Sequence, residues 1–183
     1  MQIRFKPNPQ KIIEAITWVA QRLPGSSRYT VLKTLFYADK YHLQRYGRPV
    51  TGDTYIKMAA GPVASLAYDL IKRSEYLPTD LLLAADNAFD SAVTGDKYPP
   101  VEAKRAPDME WFSGTDIDCL EESAAYCAGK GFGELKDSTH EEAAWLAASM
   151  NGEMDFALFI DNDTPGHADL LEYMAETAPC QAV

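Results

Sequence analysis

The sequence predicts a mainly α fold of the α+β type: one helical domain of about six helices with a small β-sheet. Three observations carry this. Apolar residues recur at helical spacing in several separate stretches. Asn-Pro, Pro-Gly and Gly-Pro pairs start or stop those stretches. One stretch, residues 51–59, alternates with a period of two. A chain of 183 residues with three tryptophans and ten tyrosines can bury a core without disulfide or metal staples. Residues 1–178 are expected to form a single domain, and 179–183 a flexible C-terminal tail.

The elements follow in order. Asn8 caps a first helix with Pro9 at its first position, and Ile12, Ile13, Ile16, Val19, Ala20 and Leu23 form its apolar face before Pro24-Gly25 ends it. Ser26 or Ser27 caps a second helix over residues 29–46. Leu32, Leu35, Phe36, Asp39, Leu43 and Tyr46 share one side of it, with Gly47 at the C′ position and Pro49 barring continuation. Residues 51–59 read as extended. Gly61-Pro62 reads as the start of a third helix carrying Val63, Leu66, Ala67, Leu70 and Ile71. Residues 81–85 are a short apolar run, 86–96 a loop with helical potential, and 98–107 an edge strand that tolerates its prolines. A helix is expected over residues 116–128, with Ile117, Leu120, Ala124 and Cys127 inward, then a short turn or helix at 132–135. Thr139 and Glu142 read as a capping box for a helix over 143–148. Residues 156–160 are ambiguous between helix and strand. Thr164-Pro165 is expected to cap a last helix through Leu170, Leu171, Tyr173 and Met174.

Composition narrows the function classes. No stretch approaches the roughly 18 apolar residues of a membrane span. Residues 1–7 lack an apolar signal region, so a cytoplasmic location without membrane contact is expected. Three cysteines, Cys119, Cys127 and Cys180, show no CxxC spacing and suit a reducing compartment. The first two would lie about 12 Å apart along one helix, too far for a disulfide. The net charge of −10 argues against nucleic-acid binding. It also hides a split. Residues 1–107 carry fifteen Lys/Arg against ten Asp/Glu, a net of +5, and residues 108–183 carry two against seventeen, a net of −15. The acidic half should attract a basic partner, or simply keep the protein in solution.

No complete catalytic set emerges. Residues 161–172 carry Asp, Asp, Gly, Asp and Glu at calcium-loop spacing, but Pro165 occupies the fifth position, so no metal is expected. Asp39 and His42 lie three apart on one helix. They suit either acid–base work or, preferentially, a helix-surface hydrogen bond. No nucleophile elbow or zinc spacing accompanies them. Asp39, Arg48 and Asp53 suit either a ligand groove or a salt bridge fixing the turn, and the second is favoured. His140 reads as a first-turn polar contact, and His167 as exposed. Residues 129–133 are glycine-rich but lack the strand and the Lys-Ser/Thr of a phosphate loop, so no cofactor is expected. Tyr37 and Tyr41, offset from the leucine face, suit exposed anchors for a partner. A helix-turn-helix over residues 28–57 fails because Gly47-Arg48-Pro49 leads into an extended segment.

Two separated groups of residues resemble a known family. The first is Leu35-Phe36-Tyr37-Ala38-Asp39, Leu43, Tyr46-Gly47-Arg48-Pro49, Thr51-Gly52-Asp53, Tyr55 and Gly61-Pro62-Val63. The second is Leu135, Thr139-His140, Trp145 and Ala148. Together, over roughly residues 10–150, they resemble the Panacea, or SocA-like, domain of bacterial and phage antitoxins. That resemblance implies a mainly helical domain without enzymatic activity, often prophage-encoded, that neutralises a cognate toxin by direct binding. In one branch it implies an adaptor that delivers the toxin to an AAA+ protease. Tyr37, Asp39, His42, Arg48, Asp53, Tyr55, His140 and Trp145 are the candidate partner-binding or motif residues. The chain departs from the pattern at Ala59-Ala60, where members often carry an aromatic or basic residue. It departs again at Ala64-Ser65, where a proline often follows. The competing class is a small hydrolase using Asp39, His42 and Asp53, which would need a perturbed-pKa pair in a deep pocket.

Overall fold

A computed structural model describes residues 2–91 and 97–180. Among them lie eight helices and two two-stranded antiparallel sheets, a mainly α fold with a small β component. Helix α1 spans Pro9–Arg22, α2 Arg28–Tyr46, α3 Ser65–Lys72, α4 Thr79–Ala88, α5 Gly114–Cys127, α6 Phe132–His140, α7 Ala143–Ala147 and α8 His167–Thr177. Strands β1 (Tyr55–Met58) and β2 (Gly61–Ala64) form one hairpin, and β3 (Phe89–Ser91) and β4 (Val101–Ala103) pair in a second sheet. Single 3-10 turns occur at Met109–Trp111 and Phe156–Phe159. No helix of the described residues is long and apolar enough to cross a membrane.

The first two helices form as the local signals dictate. Asn8 accepts hydrogen bonds from the Gln10 and Lys11 amides, with Pro9 at the first helical position. Ser27 accepts from the Thr30 amide, and Gly47 ends α2 at φ 66°. Helix α2 is the axis of the molecule. It is buried along most of its length and packs most extensively against α5. A helix enclosed on several sides must satisfy its polar residues internally, and Lys33, Thr34, Asp39, Lys40 and His42 are all buried on it. Phe36 meets Tyr55 at 5.5 Å and Phe159 at 5.2 Å, ring centroid to centroid, so the core runs from α2 through β1 to the second 3-10 turn.

The third helix begins later than its Gly-Pro signal suggests. Gly61 and Pro62 belong to β2, and α3 starts at Ser65. Pro62 stands opposite Lys57, whose own N–H and C=O turn the other way, to Gly152 O and the Asn151 amide. The proline therefore fills a non-hydrogen-bonded position and removes no ladder bond. Residues 151–154 line the far edge of β1, where Met154 N donates to Tyr55 O at 2.8 Å. Of the alternating residues 53–58, Asp53 and Tyr55 face the core while Met58 is exposed. The inward side thus carries a carboxylate.

Other boundaries also shift. The apolar run at 81–85 lies within α4, and the edge strand expected over 98–107 is β4. The loop expected over 86–96 is α4 and β3 as far as residue 91, and residues 92–96 lie outside the described part. Thr139 is not a cap. It sits in the last turn of α6, buried, and its hydroxyl donates to Leu135 O. Glu142 is held by Lys40 instead of closing a capping box. Helix α8 starts at His167 behind Gly166, two residues past Thr164-Pro165. Pro179 and Cys180 form an exposed turn, and the rest of the expected tail, 181–183, lies outside the described residues.

Gly61 is the position where backbone freedom matters most. Its φ is 103°, and a Cβ there would stand 2.5 Å from Thr139 Oγ1 and 2.7 Å from Lys33 Nζ. Gly61→Ala is expected to destabilise the fold by about 2–4 kcal/mol, from the left-handed strain plus the forced shift of buried neighbours. Equilibrium urea unfolding measures this, and an unchanged midpoint contradicts the hairpin geometry.

Candidate functional site

The polar residues of the first motif form two adjacent clasps. Asp39, buried on α2, accepts from the Thr51 amide at 2.7 Å, the Thr51 hydroxyl at 2.6 Å and the Tyr55 hydroxyl at 2.9 Å. It ties the loop after Gly47 and the start of β1 to α2. Asp53 accepts from the Leu66 and Ala67 amides at 3.0 and 2.8 Å. Helix α3 has no side-chain cap of its own at Ala64, so Asp53 caps it from the preceding loop. Burial pushes both carboxyls up, Asp39 to about 6 and Asp53 to about 7, while the N–H and O–H donors hold them down.

The second cluster joins α2 to α5. His42 is fully buried, with Nδ1 2.7 Å from Arg48 O and Nε2 3.0 Å from Thr115 Oγ1. Burial, reinforced by the nearby Arg48 charge, pulls its pKa down to about 4, so the ring is neutral at pH 7. The neutral ring donates from Nδ1 to the carbonyl and accepts the threonine hydroxyl at Nε2. Asp116 lies 2.9 Å from Arg48 and 3.2 Å from Lys11. Burial acts against its ionised form, but these two cations and the Ser113 amide keep its pKa below the usual carboxylate value.

These contacts correct several expectations. His42 is not on the helix surface. Arg48 reaches Asp116 and Ser113 Oγ rather than Asp39 or Asp53. Asp39, His42 and Asp53 enter separate structural bonds, and none lines any of the four surface cavities described. The hydrolase arrangement therefore lacks its geometry. Tyr37 is buried, its hydroxyl donating to Ser138 Oγ at 2.9 Å, and Tyr41 is half-buried. Neither is an exposed anchor. Asp161 of the calcium-like loop accepts from Gln44 and pairs with Lys40.

The second motif fastens α6 and α7 to the hairpin tip. His140 stacks on Trp145 with ring centroids 3.8 Å apart. Trp145 Nε1 donates to Met58 O, and Lys57 Nζ lies 4.1 Å from the Trp145 ring centroid while donating to Ala148 O. Burial, with the positive charge of Lys136, lowers the His140 pKa.

Lys33 is the residue that sequence reasoning missed. Its Nζ donates to Pro62 O at 2.6 Å, satisfying the carbonyl that β2 turns away from β1. Burial pulls its pKa down to about 7. The available signal was a lysine four residues from Tyr29 and Tyr37 on an otherwise apolar helix side.

The sequence matches the family described as "Antitoxin SocA-like, Panacea domain" over residues 31–146. No curated protein and no solved structure matches the chain.

Two outcomes follow from the site geometry. Asp53→Ala leaves two amides of α3 without acceptors and is expected to cost about 2–4 kcal/mol. Asp53→Asn, which keeps one acceptor oxygen, should cost less, and equal losses would contradict the capping role. The second outcome concerns pH. From pH 7 upward the unfolded chain still holds the Lys33 proton that the folded chain has released, so this group adds stability as pH rises through 7. The stability of the wild type relative to Lys33→Met should therefore increase between pH 7 and 9, a comparison in which the cysteines and tyrosines cancel. Urea midpoints across that range check it, and a constant difference contradicts it.

Proposed function

The chain belongs to the SocA-like antitoxin family with the Panacea domain, and from that premise we propose that it neutralises a cognate toxin by direct binding. Tyr37, Asp39, His42, Asp53 and Tyr55 are buried and bonded within the fold, and Arg48, His140 and Trp145 are half-buried and engaged, so we assign the contact to other, more exposed residues. The charge split supports one region for it. Much of the asymmetry is internal, because Arg4–Glu153, Lys11–Asp116, Arg22–Glu121, Lys40–Glu142, Arg45–Glu122 and Arg48–Asp116 all join the basic half to the acidic half. Asp169, Glu172 and Glu176 on α8 are different. They are exposed, and no lysine or arginine among the described residues pairs with them.

The observation that carries this reading is an aromatic pair beside those acids. Tyr173, 44% exposed, lies between them on α8, and Tyr46, 42% exposed, ends α2. The two helices meet here, since a Cβ on Gly47 would stand 2.7 Å from the Tyr173 ring. Tyrosines flanked by unpaired charge supply rigid contact area and steering together. The expected anchor on the second helix is thus Tyr46, in place of Tyr37 and Tyr41.

The test is co-expression with the product of the neighbouring open reading frame, followed by purification of the complex. Suppressed toxicity with a stable complex is the expected result. Raising salt from low to about 0.5 M should weaken the complex at least tenfold. Tyr173→Ala combined with Glu172→Lys should weaken it by roughly ten- to a hundredfold. Salt-insensitive binding, unaffected by that double substitution, removes the α8 face from the account. Toxin loss that needs both this chain and an AAA+ protease would assign the adaptor role instead.

A further inference from the structure

A separate cavity of about 320 Å³ lies between the start of α2, the tip of the β1–β2 hairpin, α3 and the segment before β4. Tyr29, Tyr68 and Tyr98 supply its flat walls, with Leu32, Met58 and Val63 between them. Its volume sits at the lower end for small-molecule sites, too small for a partner helix. The walls are pre-ordered. The Tyr29 hydroxyl donates to Ala60 O at 3.0 Å, and Arg28 is held between Lys97 O at 3.0 Å and the Tyr68 ring at 5.1 Å.

The charge lining is one-sided. Arg28, Lys33 and Lys97 border the cavity, and among the described residues no acidic one does. Lys33 is 1% exposed and, among the described residues, uses one acceptor, Pro62 O, beside the Tyr29 ring at 4.9 Å. An ammonium has three donors, and among the described residues no carboxylate lies within ion-pair distance of this one. Burial disfavours the ammonium form of this amine, and an anion entering the cavity would favour it. Ala59 and Ala60, at the tip of the β1–β2 hairpin, complete the lining with small side chains.

We propose that this cavity binds a small organic anion, a flat apolar body bearing one carboxylate or phosphate, with Lys33 holding the acid group and the tyrosines flanking the body. Binding is independent of the toxin-binding face on α8. The low pKa of Lys33 accords with a site whose counterion comes from a ligand.

The full-length chain is titrated with 1-naphthoate, 1-naphthyl phosphate and the neutral 1-naphthamide, following amide shifts by NMR. The expected result is saturable binding of at least one anion, with a Kd of about 1 mM or tighter, shifts centred on Ala59 and Ala60, and at least tenfold weaker binding of the amide. Whichever anion binds more tightly identifies the acid group. Ala60→Trp should fill the mouth and weaken binding at least tenfold while the far-UV circular dichroism stays unchanged. Lys33→Met should abolish the preference for anion over amide. Where Lys33→Met does not fold, Ala60→Trp decides alone. No saturation by either anion, equal binding of the amide, shifts centred elsewhere, or full affinity in Ala60→Trp overturns the proposal.

Discussion

The structure depends on the Asp39 carboxylate. It sits on the long, largely buried helix α2 and takes three donors from the chain that follows, two from Thr51 and one from Tyr55. Gly47 and Pro49 turn the chain out of α2, but they do not say where it goes next. Asp39 does, by giving the returning loop buried acceptors that water would otherwise supply. Once that loop is held, Asp53 stands at the start of α3, β1 pairs with β2, and Lys33 meets the carbonyl of Pro62. Each contact presupposes the one before it in the chain. A family signature rich in Asp, Tyr, Gly and Pro is here the record of a folding geometry.

Electrostatics work at two scales. Within the molecule, the basic first half and acidic second half are joined by ion pairs, the most buried being Lys11–Asp116, with Arg48 on the same carboxylate. Such a buried group is destabilising if one partner is removed, which makes it a device for holding α1, α2 and α5 in one arrangement. At the surface, no lysine or arginine among the described residues pairs with the carboxylates of α8. The same charge excess therefore divides into a part that assembles the fold and a part available to other molecules.

The helices of the first half were legible in the sequence because their caps are local: Asn8-Pro9, Ser27 and Gly47 act within a turn or two. The hairpin was not, because Gly61-Pro62 carries the same local signal whether it opens a helix or a return strand. The choice is made by Asn151 and Gly152, about ninety positions away. Thr139 misled for a similar reason: Lys40, from α2, holds the Glu142 that a capping box would have used. Of the site residues, Asp39 and Asp53 were found as turn-fixing groups, but Arg48 pairs with Asp116, a partner that spacing cannot show. Lys33 escaped notice because a lysine between aromatics on a helix reads as solvent-facing until the tertiary packing encloses it.

The buried part of the motif, Asp39, His42 and Asp53, builds the framework, and the toxin contact is proposed for the surface. Asp39→Asn separates the two, since it weakens the clasp while leaving the exterior unaltered. The decisive measurement is the affinity of the folded Asp39→Asn chain for the toxin it is proposed to bind, taken beside its unfolding free energy. The account predicts a loss of stability of about 1–3 kcal/mol with toxin affinity within twofold of wild type. Unchanged stability together with a tenfold or greater loss of affinity would contradict it, because Asp39 would then act on the toxin rather than on the fold.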